Sequence, residues 1–114
     1  TIGHGLETAL KYRRLLHGEA VSIGISGATL LSYKRGLIGM DIVNRVNILL
    51  KKFGLPTRAP RVKLEEVLRA MSLDKKVKNK LIYWILLRSL GETVIVNDVS
   101  EEEVVAVLKE LGCR

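Results

Sequence analysis

The sequence predicts a mainly α-helical domain with one small two-stranded β element. Three observations carry that expectation. Four apolar stretches keep helical spacing, glycines fall where helices end, and only one region, after residue 80, is rich in β-branched and aromatic residues around a central glycine. With 114 residues the chain has enough length for one modest core, so a single domain over residues 1–114 is expected.

The first helix is read from Ile2 to about Tyr12, with Leu6, Ala9 and Leu10 as its apolar side, and a basic link from Lys11 to Arg14 follows. From Glu19 to Lys34 runs a second helix with no charged residue between its ends and many small ones, among them Ala20, Ser22, Gly24, Ser26, Gly27 and Ala28. A helix without a polar stripe is expected to be buried on most sides. Glycine costs about 1 kcal/mol against alanine in a helix, so two in its middle imply that close packing or a site needs the room. Gly36 is placed to end this helix.

Asp41 is the expected N-cap of a third helix carrying Ile42, Val46, Leu49, Leu50 and Phe53 on one face and stopping at Gly54. Leu55 to Pro60 holds both prolines and reads as an extended connection. Leu64, Val67, Leu68 and Met71 mark a fourth helix, after which Lys75 to Lys80 reads as a basic loop. Leu81–Leu87 and Thr93–Val96 are the expected strands, turning near Gly91. Ser100 with Glu103 forms a capping box that opens a last helix, with Val104, Val107, Leu108 and Leu111 inward and Gly112 as its stop.

Composition removes several classes of function. No apolar run reaches the ~18–20 residues of a membrane span, and no signal-peptide pattern opens the chain. Cys113 is the single cysteine, so an intrachain disulfide is impossible; this fits a reducing, cytoplasmic setting. Its place one residue from the end predicts a frayed, unactivated thiol. The net charge of +7 is compatible with nucleic acid or small anions. Aromatics are only 4%, however, without the basic–aromatic interleaving that stacks bases, and this argues against a basic helical nucleic-acid-binding module.

Chemistry-bearing residues are few. The two histidines, His4 and His17, stand thirteen residues apart and match no short zinc signature. Their surroundings say more. His4 lies between glycines, where backbone approaches a ligand closely, and His17 stands with Glu19 at the mouth of the uncharged helix, whose start favours anions. Lys75 and Lys76 are point-charge partners suited to phosphate or carboxylate, although lysines of this kind are more often solvated surface.

Taken together, Thr1-Ile2-Gly3-His4-Gly5-Leu6-Glu7 and Leu16-His17-Gly18-Glu19-Ala20-Val21-Ser22-Ile23-Gly24 resemble the signature of the dehydroquinate synthases, G-H-x-x-G-H-x-x-E followed by L-H-G-E-A-V-x-x-G. Leu31-Ser32-Tyr33, Gly36-Leu37, Phe53-Gly54-Leu55-Pro56, Leu73-Asp74-Lys75-Lys76, Leu86-Leu87-Arg88 and Gly91-Glu92 extend the resemblance over nearly the whole chain. It departs after the dilysine, where the family has a glycine in the turn and this chain has a shorter run with Asn79.

The resemblance implies the helical C-terminal domain of the dehydroquinate synthase-like fold and an NAD- and metal-dependent, phosphate-eliminating cyclase. The metal would be Zn2+ or Co2+, and the full-length protein a homodimer. It implies that His17 is one of three metal ligands and that His4 contacts substrate and takes part in proton transfer. Lys75 or Lys76 would hold the anionic substrate, a sugar phosphate, and Glu7 and Glu19 are candidates for orienting the histidines. The family's other two metal ligands, a histidine just before Thr1 and a glutamate further upstream, would lie outside this chain. So would the N-terminal NAD-binding α/β domain. Other sugar-phosphate cyclases share these motifs and stand as the alternative.

Overall fold

A computed structural model describes residues 1–10, 15–78 and 81–114, the side chains of 73–78 excepted. In chain order these residues form α1 (Ile2–Ala9), α2 (His17–Lys34), α3 (Met40–Lys52), α4 (Leu64–Lys78), β1 (Trp84–Ser89), β2 (Glu92–Val96) and α5 (Glu101–Leu111). The mainly α fold with one antiparallel hairpin is therefore the observed one.

α2 is the axis of the molecule: α1, α3, β1 and α5 all pack on it, while α4 closes over α1 and α5. The core joins Ile2 and Leu6 of α1, Ile23 and Leu31 of α2, Val67 and Met71 of α4, Trp84 and Leu86 of β1, and Val104, Val107, Leu108 and Leu111 of α5. Small residues let the helices approach. A Cβ on Gly3 would sit 2.7 Å from the Ala20 carbonyl oxygen, and one on Gly24 would sit 3.3 Å from the Gly3 nitrogen. α1 thus crosses α2 with backbone against backbone. No helix among the described residues is long and apolar enough to cross a membrane.

Several expectations are corrected. The run from Lys75 to Lys78 is helical, the last turn of α4, not a loop. No glycine or proline interrupts it, and lysine is a good helix former, so the charge misled. Residues 79 and 80, where the Asn79 turn was expected, lie outside the described residues, as do 11–14 of the basic link. α1 ends at Ala9, short of Tyr12.

α3 is capped by Gly39 rather than Asp41, which lies in its first turn. Its buried residue is Val43, while Leu49 and Phe53 of the expected face are 55% and 73% exposed. A polar contact sets that rotation: the Ser26 hydroxyl donates to Asn47 Oδ1 at 2.9 Å, which turns the Val43–Asn47 flank toward α2. The strands are shifted toward the turn, Trp84 pairing with Val96 and Leu87 with Thr93.

Cys113 is buried and not frayed, because its N–H bonds the Leu108 carbonyl in the helix-ending motif made by Gly112 at φ 108°. Burial pushes its thiol pKa up, which leaves it unactivated.

The capping box on α5 is formed in both directions: the Glu103 N–H donates to Ser100 Oγ and the Ser100 N–H to Glu103 Oε1. The same Glu103 carboxylate receives Arg35 from the end of α2. Nε donates to Oε2 at 2.7 Å and Nη2 to Oε1 at 3.0 Å, while Nη1 reaches Asp98. This fork–fork pair ties the C-terminus of α2 to the N-terminus of α5.

Candidate functional site

The two glycine-flanked segments meet at the start of α2. α1 presents His4 and Glu7 one turn apart, hence on one side of the helix. α2 opens with His17, and the Gly3–Gly24 approach brings the two helices close enough for their side chains to touch.

His17 Nδ1 lies 3.1 Å from Glu7 Oε2. The Glu7 side chain is 7% exposed and that of His17 78%, so a buried carboxylate holds the base of an outward-facing ring. A carboxylate only accepts hydrogen bonds, so the shared proton sits on Nδ1, and in the neutral ring the lone pair is then on Nε2. That is the arrangement in which an imidazole is fixed as a donor toward an electron-poor centre.

His4 and His17 line one cavity of about 580 Å³, together with Glu7 and the backbone of Gly3. Its far side is apolar. Val21, Ile25 and Ala28 come from α2, Tyr83 from just before β1, and Ile85 and Leu87 from β1. Val21 and Ile25 are 43% and 44% exposed, so the expectation that α2 is buried on most sides fails along this flank. A helix without a charged stripe conceals such an open side, the more so because its hydroxyl residues Ser22, Ser26, Thr29 and Ser32 are buried. The hairpin wall was likewise missed. Tyr83, Ile85 and Leu87 alternate along the chain as any strand face does, and nothing local couples them to a histidine more than sixty residues earlier.

Glu19 does not turn toward the histidines. Its Oε1 accepts the Leu16 N–H at 2.9 Å, a helix-start role. Lys75 and Lys76 have their backbone in the last turn of α4, and their side chains lie outside the described residues. Among the described residues, no group of three or more His, Cys, Asp or Glu gathers to hold a metal ion. What the described residues offer is one imidazole, held at Nδ1 by a buried carboxylate, beside a cavity.

Comparison with known proteins bears on the family of the whole chain. Residues 1–77 match the family model described as 3-dehydroquinate synthase C-terminal. The 3-dehydroquinate synthase of Dichelobacter nodosus is 44% identical over 109 residues, covering 95% of this chain and 30% of that protein. The one from Dictyoglomus turgidum is 38% identical over 110 residues, covering 96% and 31%. Among solved structures, a 2-epi-5-epi-valiolone synthase from Streptomyces hygroscopicus subsp. jinggangensis, with NAD+ and Zn2+ bound, superimposes with a TM-score of 0.81. It is 29% identical, and the match covers 96% of this chain and 31% of that one. The chain thus spans about a third of the length of these relatives. Motif, fold and similarity agree: the chain belongs to the 3-dehydroquinate synthase family and carries its C-terminal region.

Proposed function

We propose that this chain is the metal- and substrate-binding C-terminal part of a 3-dehydroquinate synthase. The whole enzyme would convert 3-deoxy-D-arabino-heptulosonate 7-phosphate to 3-dehydroquinate and phosphate. The observation that carries the proposal is the shared cavity of His4 and His17, with buried Glu7 bonded behind His17. Two relatives of that name at 44% and 38% identity favour it over the valiolone-type cyclase at 29%.

In this reading His17 gives Nε2 to a catalytic Zn2+ completed by ligands outside these 114 residues. When bound, zinc acts as a Lewis acid on a substrate oxygen. Glu7 keeps the imidazole in the right tautomer and orientation. His4, exposed on the same cavity and not tied to Glu7, is free to accept or relay a proton from the sugar phosphate. Lys75 or Lys76 holds its anionic groups. NAD is assigned to the remaining part of the synthase, and the reading includes a cytoplasmic homodimer.

The test is made on the full-length protein. It should release phosphate from the heptulosonate phosphate with 3-dehydroquinate as product; another carbocycle would move the assignment to a different sugar-phosphate cyclase. His17→Ala should lose zinc and turnover together, whereas His4→Ala should keep zinc and lose turnover. Full zinc stoichiometry in His17→Ala would refute the ligand role.

A further inference from the structure

We propose that Ser32 is a positioning residue that sets the width of the cavity by pinning its two apolar walls to one another. The proposal rests on the reading of that cavity as the sugar-phosphate site. Ser32 is fully buried on α2, four turns beyond His17. Its hydroxyl donates to the Ala28 carbonyl at 2.7 Å and accepts the Leu87 N–H at 2.8 Å. Both partners, Ala28 and Leu87, line the cavity, one from α2 and the other from β1.

The topology makes this bridge consequential. In a two-stranded sheet every strand has one edge without a ladder partner, and an N–H shielded on that edge needs another acceptor; that of Leu87 is part-buried. For β1 that acceptor is Ser32. The pinned residue is also the last regular pair before the irregularity between Leu87 and Ser89, so it holds the hairpin where its ladder is weakest. Leu87 pairs with Thr93 across the hairpin, and Thr93 lines the cavity too, so one hydroxyl fixes both strands against α2. Alanine at 32 would preserve the packing volume and remove only the pin.

The experiment compares full-length wild type, Ser32→Ala and the core control Val107→Ala, at a temperature well below every unfolding midpoint. Val107 is buried in α5 and does not line the cavity. Ser32→Ala should raise KM for the heptulosonate phosphate roughly tenfold with zinc content unchanged, while Val107→Ala leaves KM alone. An unchanged KM in Ser32→Ala, or an equal rise in both variants, overturns the positioning role.

Amide exchange supplies an arm that needs no substrate. The wild-type Leu87 amide should be protected, and Ser32→Ala should speed exchange along β1 and β2 about tenfold without affecting α1. A rapidly exchanging Leu87 in wild type, readable even where the variant does not fold, overturns the bridge. If the wild type does not turn over this substrate, the functional reading fails by itself. Exchange then decides the pin: acceleration across both strands supports it, and acceleration at Leu87 alone overturns it.

Discussion

Gly3→Ala is the sharpest test of how the site is built, because it adds one methyl group at the crossing of α1 and α2. The new Cβ would lie 2.7 Å from the Ala20 carbonyl oxygen, which belongs to the backbone of α2 and has no rotamer with which to move aside. Unstrained C···O contacts begin near 3.3 Å, so the helices must separate by about 0.6 Å. Overpacking of this kind costs about 1–3 kcal/mol, against which alanine gains about 1 kcal/mol of helix propensity. The net expectation is a loss of up to about 2 kcal/mol, or up to roughly 8 °C in Tm for a chain of this size. Gly18→Ala is the matched control, since its Cβ meets nothing within 4 Å and only the propensity gain remains. That variant should be neutral or raise Tm by up to about 4 °C. Thermal unfolding of the two variants measures the contrast, and zinc retention by full-length Gly3→Ala should fall as Glu7 is drawn away from His17. A Tm for Gly3→Ala at or above that of Gly18→Ala would refute the backbone-on-backbone crossing.

The remaining expectations concern single contacts. Glu7→Ala in the full-length protein frees the His17 ring and should weaken zinc affinity about 10–100-fold by metal titration, with Glu7→Gln falling less because the amide can still accept from Nδ1. Arg35 holds the Glu103 carboxyl down at about 2, helped by the Ser100 N–H, so the stabilisation is complete above the ordinary value of 4.5 and is lost as pH falls from there through 2. Arg35→Met should therefore cost about 1–2 kcal/mol at pH 7, the pair being partly exposed, and flatten the acid limb of Tm against pH between those values. Ser100→Ala should cost about 1 kcal/mol, read by denaturant unfolding, since the Glu103 N–H then lacks its cap.

What the sequence made legible was local. Gly36, Gly54, Gly91 and Gly112 all take positive φ where helix ends and the hairpin turn were expected, because only glycine enters that region without a Cβ clash. The capping box on α5 is equally local, with donor and acceptor three residues apart. Errors arose where a distant contact decides. Periodicity gave α3 an apolar face of which Ile42, Val46 and Leu50 are half-buried, but the Ser26–Asn47 hydrogen bond goes with Val43 as its buried residue and leaves Leu49 and Phe53 exposed. Cys113 looked terminal, and a bond to Leu108 buries it.

The candidate site divides along the same line. His4, Glu7 and His17 were legible because their motifs are contiguous, and the fold joins them through two glycines that the same motifs contain. The opposite wall was not legible, because β1 reaches the cavity by packing on α2, one of its contacts being to a serine that looks like any other small residue in that helix. Motifs therefore report the groups that do chemistry, and the fold reports how far apart the walls around them stand. Where relatives as similar as a 3-dehydroquinate synthase and a 2-epi-5-epi-valiolone synthase bear different names, that spacing is where a difference between them should be sought.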